Sequence, residues 1–237
     1  MNFLAHGFRH LDDPWFVAGT ALPDWLRMLD RRARAPADVV QAFAADADPR
    51  AASLARGVLR HHEDDRRFHG CAAFAAARGE TTAVLREVLA SADGHRPSFI
   101  AHLLVEMHLD ATLAEESPDL LDRYYGALGS IAPGEFDDVV RRVLPAPPAG
   151  VASIVARFVT ERFLADYADP RTLARRLDRV LRGARQPGLP GEFAAVVGRT
   201  RASVTSRRDE LLGETPEPRP VGSRYARSRC LPKKDVR

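Results

Sequence analysis

His61, Asp65 and His69 stand four residues apart in one polar stretch, HHEDDRRFH. In an α-helix each step of four advances the face by about 40°, so the three side chains project along one stripe. His102 and Glu106 repeat that spacing farther along, with Asp110 one step beyond. Imidazole and carboxylate one turn apart on each of two helices form the donor set of a metal site in a helical bundle. Such a nitrogen and oxygen mixture suits zinc, manganese or iron better than calcium, which prefers all-oxygen shells.

The surroundings of these residues differ. Around His61 and Asp65 the sequence is so polar that a solvated helix face with i, i+4 ion pairs would also account for them. His102 and Glu106 lie within SFIAHLLVEMHLDATL, where apolar residues surround them on nearly all sides. A helix that hydrophobic is expected to be buried, and a buried glutamate needs a metal or a partner, because desolvating an unpaired carboxylate is costly. A structural Glu–Arg or Glu–His pair is the competing explanation. His108, off the stripe, reads as surface or core packing, as do His10, His62 and His95. Asp64 reads as a helix-surface charge, and Asp110 stays open between ligand and helix surface. Two candidates come from the N-terminal region: His6, among Phe3, Leu4, Ala5 and Phe8, and Asp24, just after Pro23. A single histidine on an apolar face is more often a core residue than a ligand.

The elements that must carry these residues are helical. Apolar residues recur at helical spacing, and Asp13-Pro14, Asp48-Pro49, Ser117-Pro118 and Asp169-Pro170 each pair a capping side chain with proline at the first helical position. The pattern predicts helices near 14–31, 37–45, 49–69, 71–78, 81–91, 97–116, 118–131, 135–143, 149–167, 170–182 and 190–212. Gly70, Gly79, Gly183 and Gly213 are expected to end helices, and Pro23 with Leu22 to bend the first just before Asp24. Residues 1–213 read as one all-α domain and 214–237, rich in Pro, Arg and Ser, as a flexible tail.

Charge and composition exclude other classes. The chain of 237 residues carries a formal charge of +3. Setting aside the seven basic and three acidic residues of 214–237 leaves 28 basic and 29 acidic groups, so the body is neutral and nucleic acid is not an expected partner. No apolar run approaches the roughly 18 residues of a membrane span, and no secretion signal is visible at the N-terminus. Two cysteines, Cys71 and Cys230, make no disulfide framework, which points to a reducing cytoplasm.

MNFLAH at the start, Gly19 to Asp24 as a Gly-x-x-x-x-Asp element, GVLRHHEDD ending in His69, and HLLVEMHL from His102 resemble the acyl carrier protein phosphodiesterase family, relatives of the HD-domain metal phosphohydrolases. The resemblance covers the first half of the chain. It implies an HD-domain-like helical fold and a metal-assisted phosphodiester hydrolase, with acyl carrier protein as a candidate partner. His6, Asp24, His61 and Asp65 fall on the family's matching positions. The family's arginine after the first histidine is His62 here, and three carboxylate positions are His69, His102 and Glu106. Pro23-Asp24, His61-x-x-x-Asp65 and His102-x-x-x-Glu106 are also similar to the zinc-dependent phospholipase C family, with shorter spacings.

Both resemblances imply metal-dependent cleavage of a phosphodiester. The candidate ligands are His6, Asp24, His61, Asp65, His69, His102 and Glu106, more than one ion takes, so either two divalent ions bind or some residues support the ligands from behind. The metal would activate a water and polarise the phosphoryl oxygen. Asp65 or Glu106 would serve as general base if not a ligand, and Arg9, Arg60 or Arg66 would neutralise phosphate oxygens. The rival from another class is a non-catalytic helical protein with buried His–carboxylate pairs or a structural metal.

Overall fold

Three helices begin as the Asp-Pro signals require, because an acceptor side chain takes an orphaned N–H and proline removes another. In the computed structural model, which describes residues 1–89 and 94–214, Asp13 caps through the N–H of Phe16, Asp48 through that of Arg50, and Asp169 through those of Arg171 and Thr172. The described residues form twelve α-helices, one 3-10 helix and no strand. These are α1 (Phe3–Gly7), α2 (Pro14–Leu29), α3 (Ala37–Gln41), α4 (Pro49–Gly70), α5 (Ala72–Val88), α6 (Pro97–Glu116), α7 (Leu120–Gly129), α8 (Pro133–Val143), α9 (Val151–Glu161), α10 (Pro170–Gly183), α11 (Phe193–Thr205) and α12 (Arg208–Leu211). The 3-10 helix spans Phe163–Tyr167.

Several boundaries differ from expectation for local reasons. α5 runs through Gly79, so the expected pair at 71–78 and 81–91 is one helix. Nothing lies within 4 Å of a Cβ built on Gly79, and an exposed glycine costs a helix only about 1 kcal/mol. The segment expected as 149–167 breaks at Arg162, whose left-handed backbone (φ 47°) ends α9 before the 3-10 helix. Ser117-Pro118 opens no helix; α7 starts at Leu120 after Asp119. α3 stops at Gln41, and the segment expected as 190–212 is divided into α11 and α12. The tail expected at 214–237, Cys230 within it, and the end of the helix expected at 81–91 lie, apart from Glu214 and positions up to 89, outside the described residues.

One continuous hydrophobic core joins these helices. α2 and α4 cross where Gly19 meets Gly57. A Cβ on Gly19 would lie 2.2 Å from the Leu54 carbonyl oxygen, and one on Gly57 2.2 Å from that of Phe16. Only two glycines let these backbones approach so closely. α2 runs through Leu22 and Pro23 as one helical segment, with Asp24 directly after the proline. Proline has no N–H for the Gly19 carbonyl, four residues back. α1 is fixed through its first turn. The Asp110 carboxylate of α6 accepts from the N–H groups of Leu4 (3.2 Å) and Ala5 (2.9 Å), and the Phe3 ring packs 4.9 Å from that of Phe158. No described helix is long and apolar enough to cross a membrane.

Candidate metal centre

Four helices deliver the site. α1 brings His6, α2 Asp24, α4 His61, Asp65 and His69, and α6 His102 and Glu106. Six of these seven fall into two groups whose ligand atoms lie within 4.8 Å of one another: His6, His61 and Asp65, and His69, His102 and Glu106. Each group could hold a metal ion. Both have the same plan, two stacked imidazoles sharing one carboxylate. The rings of His6 and His61 are 4.3 Å apart, and those of His69 and His102 are 4.8 Å apart.

The Nε2 atoms face the carboxylates throughout. His6 Nε2 is 3.4 Å from Asp65 Oδ1 and His61 Nε2 is 3.5 Å from Asp65 Oδ2. In the second group, His69 Nε2 and His102 Nε2 are 3.3 and 3.1 Å from Glu106 Oε1. Four ligands bound tetrahedrally at about 2.1 Å stand about 3.4 Å from one another, so these separations fit a common ion.

The other ring nitrogens show how the first group is held. His61 Nδ1 is 2.9 Å from the Thr20 carbonyl oxygen, which can only accept, so Nδ1 carries the proton and Nε2 has a free lone pair. His6 Nδ1 faces Asp64 Oδ2 at 3.5 Å, and its buried Nε2 has no hydrogen-bond partner among the described residues. A metal-ligating histidine typically donates its second N–H to a carbonyl or carboxylate in this way. Asp64, expected on the helix surface, is only 2% exposed. It is the hub between His6, Arg60 (2.9 Å) and Arg67 (2.6 Å). The run HHEDDRR hides this, because His6 comes from another helix.

The two groups meet at an atom that side-chain spacing could not reveal. The Met1 amino nitrogen lies 2.7 Å from Asp65 Oδ1 and 2.9 Å from Glu106 Oε1. A cation therefore sits between the carboxylates. Burial opposes the charge of this amino group, but Glu106 and Asp65 outweigh it and raise its pKa. Burial would likewise raise Asp65 and Glu106; His6 and the amino group hold the first well below the usual carboxylate range, and the amino group with His102 and His69 the second. His61 falls to about 3 through burial and the nearby charge of His6, which is itself raised against its burial by Asp64 and Asp65.

Asp24 belongs to neither group of three. It lines a cavity of about 480 Å³ together with Asp65, His69, His102 and Glu106. Burial pushes its carboxyl up to about 6, with Glu106 and Asp65 adding to the shift and His6 opposing it. Arg27, one turn after Asp24 on unbroken α2, lines the same cavity. Of the three arginines expected to face phosphate, Arg60 pairs with Asp64 and Arg9 with Glu214, while Arg66 is exposed and does not line this cavity. Of the open cases, Asp110 is buried and holds α1, with burial raising it to about 7, while His108 is a core residue bonded to Thr200 Oγ1 at 3.0 Å. Comparison of the chain with family models, curated proteins and solved structures returns no match.

Proposed function

We propose that this chain is a metal-dependent phosphodiester hydrolase, as its resemblance to the acyl carrier protein phosphodiesterase family and its HD-domain-like relatives implies. The observation that carries the reading is the duplicated plan of two Nε2 atoms on one carboxylate, with both carboxylates within 3 Å of one nitrogen at the wall of an open cavity. Structural zinc sites take four protein ligands and are closed, whereas catalytic ones take three and keep a position open. Each group here offers three and faces or adjoins the cavity.

His6, His61 and Asp65 would hold one divalent ion, and His69, His102 and Glu106 a second, with zinc, manganese or iron suited to these donors. When bound, such ions lower the pKa of a water and polarise a phosphoryl oxygen. The protein's own groups do the remaining work. Thr20 and Asp64 fix the tautomers of His61 and His6. Arg27 offers its guanidinium to a phosphate oxygen from the cavity wall. Asp24, with its carboxyl near 6, exchanges a proton close to neutral pH and suits general acid or base work. Asp65 or Glu106 retains that role only if its carboxylate is free of metal.

A lipid-like phosphodiester, as in the zinc-dependent phospholipase C reading, has one observation in its favour. Met28 and Val180, 50% and 44% exposed, lie on the same cavity and would face an apolar substituent. The test is hydrolysis of bis(p-nitrophenyl) phosphate, of a phospholipid and of phosphopantetheinylated acyl carrier protein by the purified chain with added manganese or zinc. Turnover that Glu106→Ala abolishes supports the reading, and the preferred substrate separates its two forms. No turnover of any of the three with either metal sinks it and leaves the non-catalytic helical protein.

A further inference from the structure

On α10 the basic residues fall into two kinds. Arg176 is paired with Asp166 (2.6 Å) and Arg182 with Asp178 (2.7 Å). Arg171, Arg175 and Arg179 are exposed, and their guanidiniums make no ion pair or hydrogen bond among the described residues, although Arg171 lies in the field of Asp169. These three are spaced i, i+4, i+8, so they form a row along one face of the helix with a pitch of about 6 Å.

The row borders a groove of about 670 Å³ between α10 and the start of α11. Its floor is apolar, made by Ala174, Leu189 and Phe193. The far wall is tied back to α10, because the Leu189 N–H donates to Asp178 Oδ1 at 2.7 Å. Most arginines elsewhere in the described chain meet a carboxylate, so a row of three left unpaired is uncompensated positive charge beside apolar surface. Desolvating such a row is repaid by carboxylates at matching pitch.

We infer that this groove docks an acidic amphipathic helix of a partner protein. Carboxylates one turn apart on such a helix repeat at the same pitch of about 6 Å, and an apolar side chain between them would meet Leu189 and Phe193. The chain's own segment after Glu214 is a poor occupant, since residues 214–237 carry seven basic and three acidic groups. Nucleic acid matches the charge, but the neutral body provides no wider field to hold it. Val180, next to Arg179, lines the cavity of the metal groups, so a partner in the groove would be seated beside that cavity.

The experiment uses the full chain, free of added metal, and a fluorescent helical peptide with glutamates at i, i+4 and i+8 beside leucines. A peptide with glutamine at those positions and a single-stranded DNA oligonucleotide serve as rivals. The glutamate peptide is expected to bind at least about tenfold more tightly than the glutamine peptide, or about 1.4 kcal/mol. The R171E/R175E/R179E variant should lose that advantage, and R171Q/R175Q/R179Q replaces it if charge reversal unfolds the chain. Equal binding of the two peptides, binding unchanged in both variants, or tighter binding of the oligonucleotide through the same arginines overturns the inference. None of these outcomes bears on the metal groups.

Discussion

The Nδ1 of His61 donates to the carbonyl of Thr20 across the crossing of α2 and α4, over 2.9 Å. That bond joins a fold device to a chemical one. Thr20 follows Gly19, His61 stands one turn after Gly57, and these two glycines set the distance between the helices. Adding a methyl group at Gly57 should therefore damage both. The new Cβ would meet the Phe16 carbonyl oxygen at 2.2 Å, a backbone atom that cannot turn aside. Gly57→Ala is expected to cost about 3 kcal/mol in urea unfolding, at the upper end of typical overpacking. It should also weaken metal binding by the group containing His61. A variant with unchanged stability would show that the helices are not in this contact.

The helical pattern was legible because it rests on local chemistry. Asp13, Asp48 and Asp169 cap helices through their nearest N–H groups, and the i, i+4 histidines and carboxylates need only a helix to share a face. What was not legible depends on partners distant in sequence. Asp64 is buried because His6 comes in from α1. The meeting of the two groups at the Met1 amino nitrogen involves a main-chain atom, which residue-type spacing cannot encode.

Asp64 orients one group only. Asp64→Ala removes the acceptor of His6 Nδ1 and leaves Arg60 and Arg67 without their shared carboxylate. Metal affinity of the group of His6, His61 and Asp65 should fall about 10–100-fold, the usual effect of losing an outer-shell partner. The group of His69, His102 and Glu106 should be unchanged in a calorimetric titration. Equal weakening of both groups would mean that the substitution acts through global unfolding.

His108 sets an acid limit on stability. Burial, with Arg201 adding to it, lowers its pKa to about 3 in the folded chain, against 6.5 as the ordinary value. The unfolded state therefore binds the extra proton first, and this contribution to stability is complete above about pH 6.5 and lost progressively as pH falls toward 3. Between pH 6.5 and 5 the loss is on the order of 2 kcal/mol. His108→Gln should be less stable at pH 7 but should flatten the decline over that interval in urea unfolding. An equally steep decline in the variant would assign the acid sensitivity to other groups.

The most direct measurement of the central claim is the metal content of the purified chain after equilibration with manganese or zinc and removal of free ion. Two ions per chain are expected, with His61→Ala and His102→Ala each retaining one and the double variant none, all three staying helical by circular dichroism. Metal at the level of a protein-free blank, or uptake that neither substitution changes, would contradict the assignment of His6, His61 and Asp65 and of His69, His102 and Glu106 as metal-binding groups.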